Sequence, residues 1–216
     1  MTRRLTWLLA LAALVALAVA PTGLAGSKKG VKLSRGTTTV TLDAALGAQG
    51  ITATAKKPAK LDGSDLSFAV TNGRAVVDTS TPGTIVLKSA TVKHVGRVTL
   101  AKGDAKVALQ NPTAVVTDGT AGTLTAKVAG RRVDVATLVV DPSKLTVDGR
   151  KVTLTDVQVK LTPDAAGALS GLAGTPDAFK ADDLLGTATL ATRIVGKVVP
   201  KTKPAKSHVA KGKKHS

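Results

Sequence analysis

The chain has no cysteine, no tyrosine and no glutamate, and its aromatic side chains are Trp7, Phe68 and Phe179 alone. Without cysteine there is no disulfide, no thiolate metal site, no cysteine nucleophile and no lipid on an N-terminal cysteine. Two phenylalanines outside the first residues cannot build a platform on which rows of bases stack, so specific nucleic-acid recognition is not expected. Histidine is scarce too: His94 stands by itself in the middle of the chain, and His208 and His215 fall near its end. A Ser-His-Asp triad would have to use His94, but no Gly-x-Ser-x-Gly elbow is present, nor a Walker A loop or dinucleotide fingerprint. In Asn111-Pro112-Thr113 the central proline bars glycosylation. The expectation is a protein that is not an enzyme.

What is present is base, threonine and small apolar residues. Among 216 residues, 31 Lys and Arg face 14 acids, all Asp, for a formal net charge of +17, and threonine occurs thirty times. An apolar share of 43% is enough to build a core. Arg3 and Arg4 followed by the uncharged run Leu5 to Ala20 read as a secretory signal over residues 1–25, with small residues Gly23 and Ala25 before the cut. Pro21 and Gly23 interrupt the run before it reaches the ~20 apolar residues of a membrane span. The protein is therefore expected to be secreted and cell-envelope-associated, with no transmembrane segment after cleavage. Residues 26–36 read as a basic linker. Residues 197–216 read as a disordered tail, where Lys197, Lys201, Lys203, Lys206, Lys211, Lys213 and Lys214 meet no acid and Pro200 and Pro204 oppose regular structure. These seven lysines are the expected polyanion-binding residues. Setting aside the thirteen bases of both ends leaves 18 against the 14 acids in residues 37–196.

That body alternates short Thr/Val/Leu segments with Gly, Asp, Asn and Pro, a pattern of antiparallel β-structure. Thr38, Val40 and Leu42 share one face, as do Leu66, Phe68 and Val70. Val98 and Leu100 lead through Lys102-Gly103-Asp104 to Val107 and Leu109, a hairpin signal. In Val133 to Val140 both parities are apolar, which predicts a strand covered on both faces. Val152 and Leu154 have one parity and Val157, Val159 and Leu161 the other, so a β-bulge is expected at Thr155-Asp156. Thr162-Pro163-Asp164 carries the cap, the first-turn proline and the acid of a helix start, and Asp43-Ala44-Ala45 is a weaker version. The fold class is all-β: an antiparallel sandwich or partly open barrel of ten to twelve strands with one or two short helices.

Few side chains in this body could do chemistry. Asp62-Gly63-Ser64-Asp65 could wrap a hard cation but lacks a closing bidentate acid, and reads as a surface turn. Asp182-Asp183 are adjacent and point apart on an extended chain, so they read as a solvated loop. His94 shares strand parity with Ala90 and Val92. A single imidazole there reads first as a structural residue hydrogen-bonded by a neighbour.

The order of segments resembles a known family. Gly83 to Gly96 leads through a hairpin to Gln110-Asn111-Pro112-Thr113-Ala114-Val115-Val116, then Gly122 to Val128, the apolar strand Val133 to Val140, and Leu161-Thr162-Pro163-Asp164-Ala165-Ala166 with Phe179. This is similar, over roughly residues 31–194, to the Htaa domain, an exported β-rich module of high-GC Gram-positive bacteria. The resemblance implies haem binding for iron uptake, with the iron held by a Tyr near the domain start and supported by a His. His94 falls where the supporting His is expected, and no Tyr lies between Val31 and Thr41. Two expectations result. The first is an envelope-associated, non-catalytic binding or scaffold domain with no cofactor, partnered by cell-envelope polyanions. The second is a haem-binding protein that uses His94.

Overall fold

The computed structural model describes residues 30–78 and 85–195. The signal at 1–25 and the lysine tail at 197–216 lie outside the described residues. Twelve antiparallel strands follow in order: β1 (Val31–Leu42), β2 (Thr52–Lys56), β3 (Lys60–Asp62), β4 (Asp65–Asp78), β5 (Val86–Val95), β6 (Arg97–Lys102), β7 (Ala105–Val116), β8 (Ala121–Val128), β9 (Arg131–Val139), β10 (Leu145–Asp148), β11 (Lys151–Leu161) and β12 (Leu184–Val195). Two short helices interrupt them, α1 (Ala45–Ala48) and α2 (Pro163–Ala173). The all-β antiparallel architecture with two helices is as the residue pattern predicts.

The sheet runs β2-β6-β7-β5-β4-β1-β12-β11-β9-β8, and β8 also pairs with β7. The hydrogen bonds therefore close a ring through β7, β5, β4, β1, β12, β11, β9 and β8. It is not a regular barrel, because β2 and β6 continue outward from β7 while β3 and β10 pair only with β4 and β11. Closure satisfies backbone groups that an open edge would expose.

Two strands differ from the sequence expectation. The first strand begins at Val31, inside the stretch read as basic linker. Lys32 faces solvent there while Leu33 is buried, so the bases occupy the outward positions of an amphipathic strand. Nor is the segment Val133 to Val140 covered on both faces. Val135 and Ala136 are both buried, a register shift against β8 falls between Leu124 and Thr125, and Thr137 and Val139 point outward. One bulge switches the buried parity, which in sequence resembles a strand apolar on both sides. The bulge in β11 is where the parity change predicts it: pairing with β12 breaks between Leu154 and Val157, with Asp156 at φ 59°.

Local signals account for the rest. Gly103-Asp104 closes the β6–β7 hairpin and Ala129-Gly130, both at positive φ, the β8–β9 hairpin. Thr162 caps α2 by accepting from the Ala165 N–H, Pro163 opens the helix, and Gly174 in left-handed conformation ends it. Lys102 Nζ donates to the Ala173 carbonyl at 2.6 Å, placing a cation at the negative end of the helix. The interior divides into two apolar clusters. One gathers Leu33, Val70, Val92, Val116, Leu138, Val159 and Ile194. The other gathers Leu46, Leu66, Phe68, Val98, Leu161, Phe179 and the inner face of α2.

Candidate functional site

His94 lies on β5, opposite Val70 of β4, and is only 6% exposed. Val70 belongs to the first cluster, and Phe68, whose ring meets the imidazole edge-on at 6.4 Å, belongs to the second. The histidine is thus a polar group where two apolar cores meet. Two residues on, Gly96 turns the chain from β5 into β6 at φ 135°, and a Cβ there would stand 2.7 Å from that of Ala59. Asn111 ties this turn to β7: its side chain accepts from the Gly96 N–H, and its own N–H donates to the Gly96 carbonyl. Pro112 follows directly.

Both imidazole nitrogens are engaged. Nδ1 lies 3.1 Å from the Pro112 carbonyl, and Nε2 lies 2.7 Å from Thr38 Oγ1 on β1. A carbonyl oxygen only accepts, so Nδ1 carries the proton, Nε2 presents its lone pair, and the Thr38 hydroxyl donates to it. Burial holds the imidazole below its ordinary pKa of 6.5, against a smaller opposing effect of the Pro112 carbonyl. The ring is accordingly neutral with its tautomer set. A neutral imidazole whose Nδ1–H is fixed by a backbone carbonyl is the state in which histidine binds metals.

Phe68 and Pro112, which both meet His94, also help to wall an apolar cavity of about 60 Å³ with Leu109, Leu124, Ala126 and Val135; His94 and Thr38 do not line it. The remaining candidates stay apart from it. Asp62 and Asp65 flank the exposed turn between β3 and β4, and Asp183 accepts from the Lys180 N–H in the loop before β12. Among the described residues no group of three or more His or Asp side chains is placed to hold a metal ion. No helix among them is long and apolar enough to cross a membrane. Sequence reasoning found His94 but neither of its partners. Thr38 is one threonine of many, and the Pro112 carbonyl carries no side-chain signal.

Comparison with known proteins bears on the family and the fold. The sequence profile of the family described as Htaa matches residues 40–174, more than half of the chain. The chain belongs to the Htaa family. Among solved structures, the C-terminal domain of HtaA from Corynebacterium glutamicum is similar at 14% identity and TM-score 0.57, over 76% of this chain and 99% of that one. The N-terminal domain of HtaA from the same organism is similar at 14% identity and TM-score 0.52, over 76% of this chain and 99% of that one. The heme binding protein HtaB from that organism aligns at 16% identity and TM-score 0.49, over 77% of this chain and 96% of that one. At such identities the likeness to the HtaA domains shows the fold alone. No curated protein matches the chain. The Htaa match includes His94 and starts two residues after Thr38.

Proposed function

We propose that this chain is an exported, non-catalytic binding domain of the haem-uptake type, held at the cell envelope, which receives haem as cargo at His94. The observation that carries the reading is the state of that imidazole: neutral, proton on Nδ1, lone pair on Nε2. Haem iron takes an axial ligand from His, Cys, Met or Tyr, and the described residues supply only His94. The donor chemistry fits one axial position. Where the family resemblance calls for a Tyr near the domain start, Thr38 of β1 meets the histidine instead, so His94 would be the ligand rather than its support.

If haem were bound, Nε2 of His94 would be the nitrogen donor that the chain offers to its iron. The chain's own part is to keep the imidazole uncharged, aim Nε2 and shut out water. The cavity walled by Phe68 and Pro112, at about 60 Å³, is far below the ~300–1,000 Å³ of small-molecule pockets. Reception therefore requires Thr38 to release Nε2 and the apolar walls to part. Titration of the purified protein with haemin tests the reading: a Soret shift should appear and be lost in His94→Ala. No shift, or one that survives that substitution, contradicts it.

A second reading concerns retention and is compatible with the first. Seven lysines and no acid in residues 197–216 favour attraction to envelope polyanions through Lys197, Lys201, Lys203, Lys206, Lys211, Lys213 and Lys214. Added salt and deletion of Pro200 to Ser216 should each release the protein from the envelope fraction. Retention that neither treatment changes rules this out.

A further inference from the structure

The folded body has a charge pattern that its near-balanced composition conceals. Lys56 on β2 pairs with Arg97 on β6, Arg97 with Gln110 on β7, Gln110 with Lys127 on β8, and Lys127 with Arg132 on β9. Directly paired residues of antiparallel strands project from the same face. Five neighbouring strands therefore present one row: Lys, Arg, Gln, Lys, Arg. The adjacent pairs Ala55 with Val98 and Ala126 with Val133 turn toward the interior, while Lys56, Arg97, Lys127 and Arg132 are all exposed. With strands ~4.8 Å apart, the row spans about 19 Å.

Such a row works against folding. Lys56 opposite Arg97 and Lys127 opposite Arg132 are like charges in direct cross-strand pairs, an arrangement that destabilises a sheet. No carboxylate relieves them. The ion pairs among the described residues are Lys88 with Asp78 and Lys144 with Asp156, both away from the row. Asp134, opposite Thr125, is the acid that the register brings nearest to it. Arg132 is held in place by neutral partners, with Nη1 donating to Thr113 Oγ1 and Thr125 Oγ1 and Nη2 to the Asn111 carbonyl. Its remaining N–H groups are left for a ligand.

We propose that the outer face of β2, β6, β7, β8 and β9 binds a linear, base-free phosphate polymer laid across the strands, with phosphates bridging Lys56 to Arg97 and Lys127 to Arg132. Charge complementarity calls for a polyanion. The row's length calls for an extended one, and guanidinium forks suit phosphate. A nucleic acid fits less well, because Phe68 and Phe179 are both 6% exposed and offer no stacking surface. The row shares no residue with the lysine tail or with the His94, Thr38 and Pro112 group, and the test below reads it apart from both, so the proposal stands or falls independently of the readings above.

The test uses the full chain with its seven tail lysines changed to Gln, titrated with long-chain polyphosphate between 50 and 300 mM salt, with and without Arg97→Gln plus Lys127→Gln. Each phosphate contact contributes ~0.7–0.9 to the slope of log K against log salt. The double substitution should therefore flatten that slope by about 1.5, weaken binding at least about tenfold at the lowest salt, and leave the thermal midpoint unchanged or raised. Lys151→Gln plus Lys180→Gln, outside the row, should leave binding as it was. Equal loss in that control, no loss in the row variant, or no binding once the tail is neutralised overturns the proposal. Tighter binding of an oligothymidylate of matched charge overturns the base-free partner.

Discussion

Thr38 Oγ1 and His94 Nε2 stand 56 positions apart in the chain and 2.7 Å apart in the fold, and with the Nδ1–H on the Pro112 carbonyl the hydroxyl is the donor of the pair. The contact crosses β4, since Thr38 pairs with Phe68 and Val70 pairs with His94. It is a polar pair inside an apolar ring, and it explains how a lone histidine is tolerated there: Thr38 and Pro112 satisfy both nitrogens of a neutral ring. Among the described residues no buried side-chain nitrogen or oxygen lacks a partner.

Stability should fall as the medium is acidified through the range just below pH 6.5. His94 is held below its ordinary value of 6.5 by burial, so the unfolded chain takes up its proton first and acid favours unfolding. Its contribution is complete above 6.5 and is lost as pH drops toward the lowered folded-state value. Asp118 and Asp141 do not interfere, because hydrogen bonds from Thr120 and Ala121, and from Ser143, hold them below the usual 3.8. Urea midpoints measured from pH 7.5 to 5 should decline for the wild type and flatten in His94→Gln. Parallel curves for the two proteins would refute this.

Replacing Ser170 with Ala should cost about 1–3 kcal/mol in urea unfolding. Its hydroxyl donates to the Phe179 carbonyl at 3.1 Å and accepts from the Phe179 N–H at 3.0 Å, both buried. Removing it orphans two backbone groups at the point where the loop after α2 is fixed. A cost under ~0.5 kcal/mol would mean water takes over both bonds.

Gly186→Ala should destabilise by about 1–3 kcal/mol, because a Cβ there would overlap the Thr41 carbonyl oxygen across the β1–β12 seam. The obstacle is backbone, which cannot rotate away. Thermal unfolding checks it, with Gly167→Ala on the open side of α2, where a Cβ meets nothing within 4 Å, expected to be neutral or stabilising.

Much of this was legible in the residue pattern, for local reasons. Thr162-Pro163-Asp164 marks a helix start because capping is decided within four residues. The parity change from Leu154 to Val157 marks a bulge because side chains alternate strictly along a strand. The rest depends on which strands become neighbours. Val135-Ala136 has the same apolar string whether a strand is buried on both faces or bulged, and only the partner β8 decides between them. Lys32 and Arg35 suggest a linker until β4 and β12 flank the strand that holds them, with Lys32 paired to Arg74 and Val195 and Arg35 at the β1 bulge. The basic row cannot be read from a net charge, since Lys56, Arg97, Lys127 and Arg132 are scattered along the chain and only the register aligns them. His94 was visible as the one imidazole of the body. Its tautomer was not, because that depends on Thr38 and Pro112.

The most direct test of the central claim is haemin titration of the wild type, His94→Ala and Thr38→Val side by side, with folding checked by circular dichroism. If Nε2 is the ligand atom and the Thr38 hydroxyl competes for its lone pair, removing one hydrogen bond of ~1–1.5 kcal/mol should tighten haemin binding about tenfold in Thr38→Val, while His94→Ala abolishes the Soret shift. Identical midpoints and band positions in all three proteins would contradict the account.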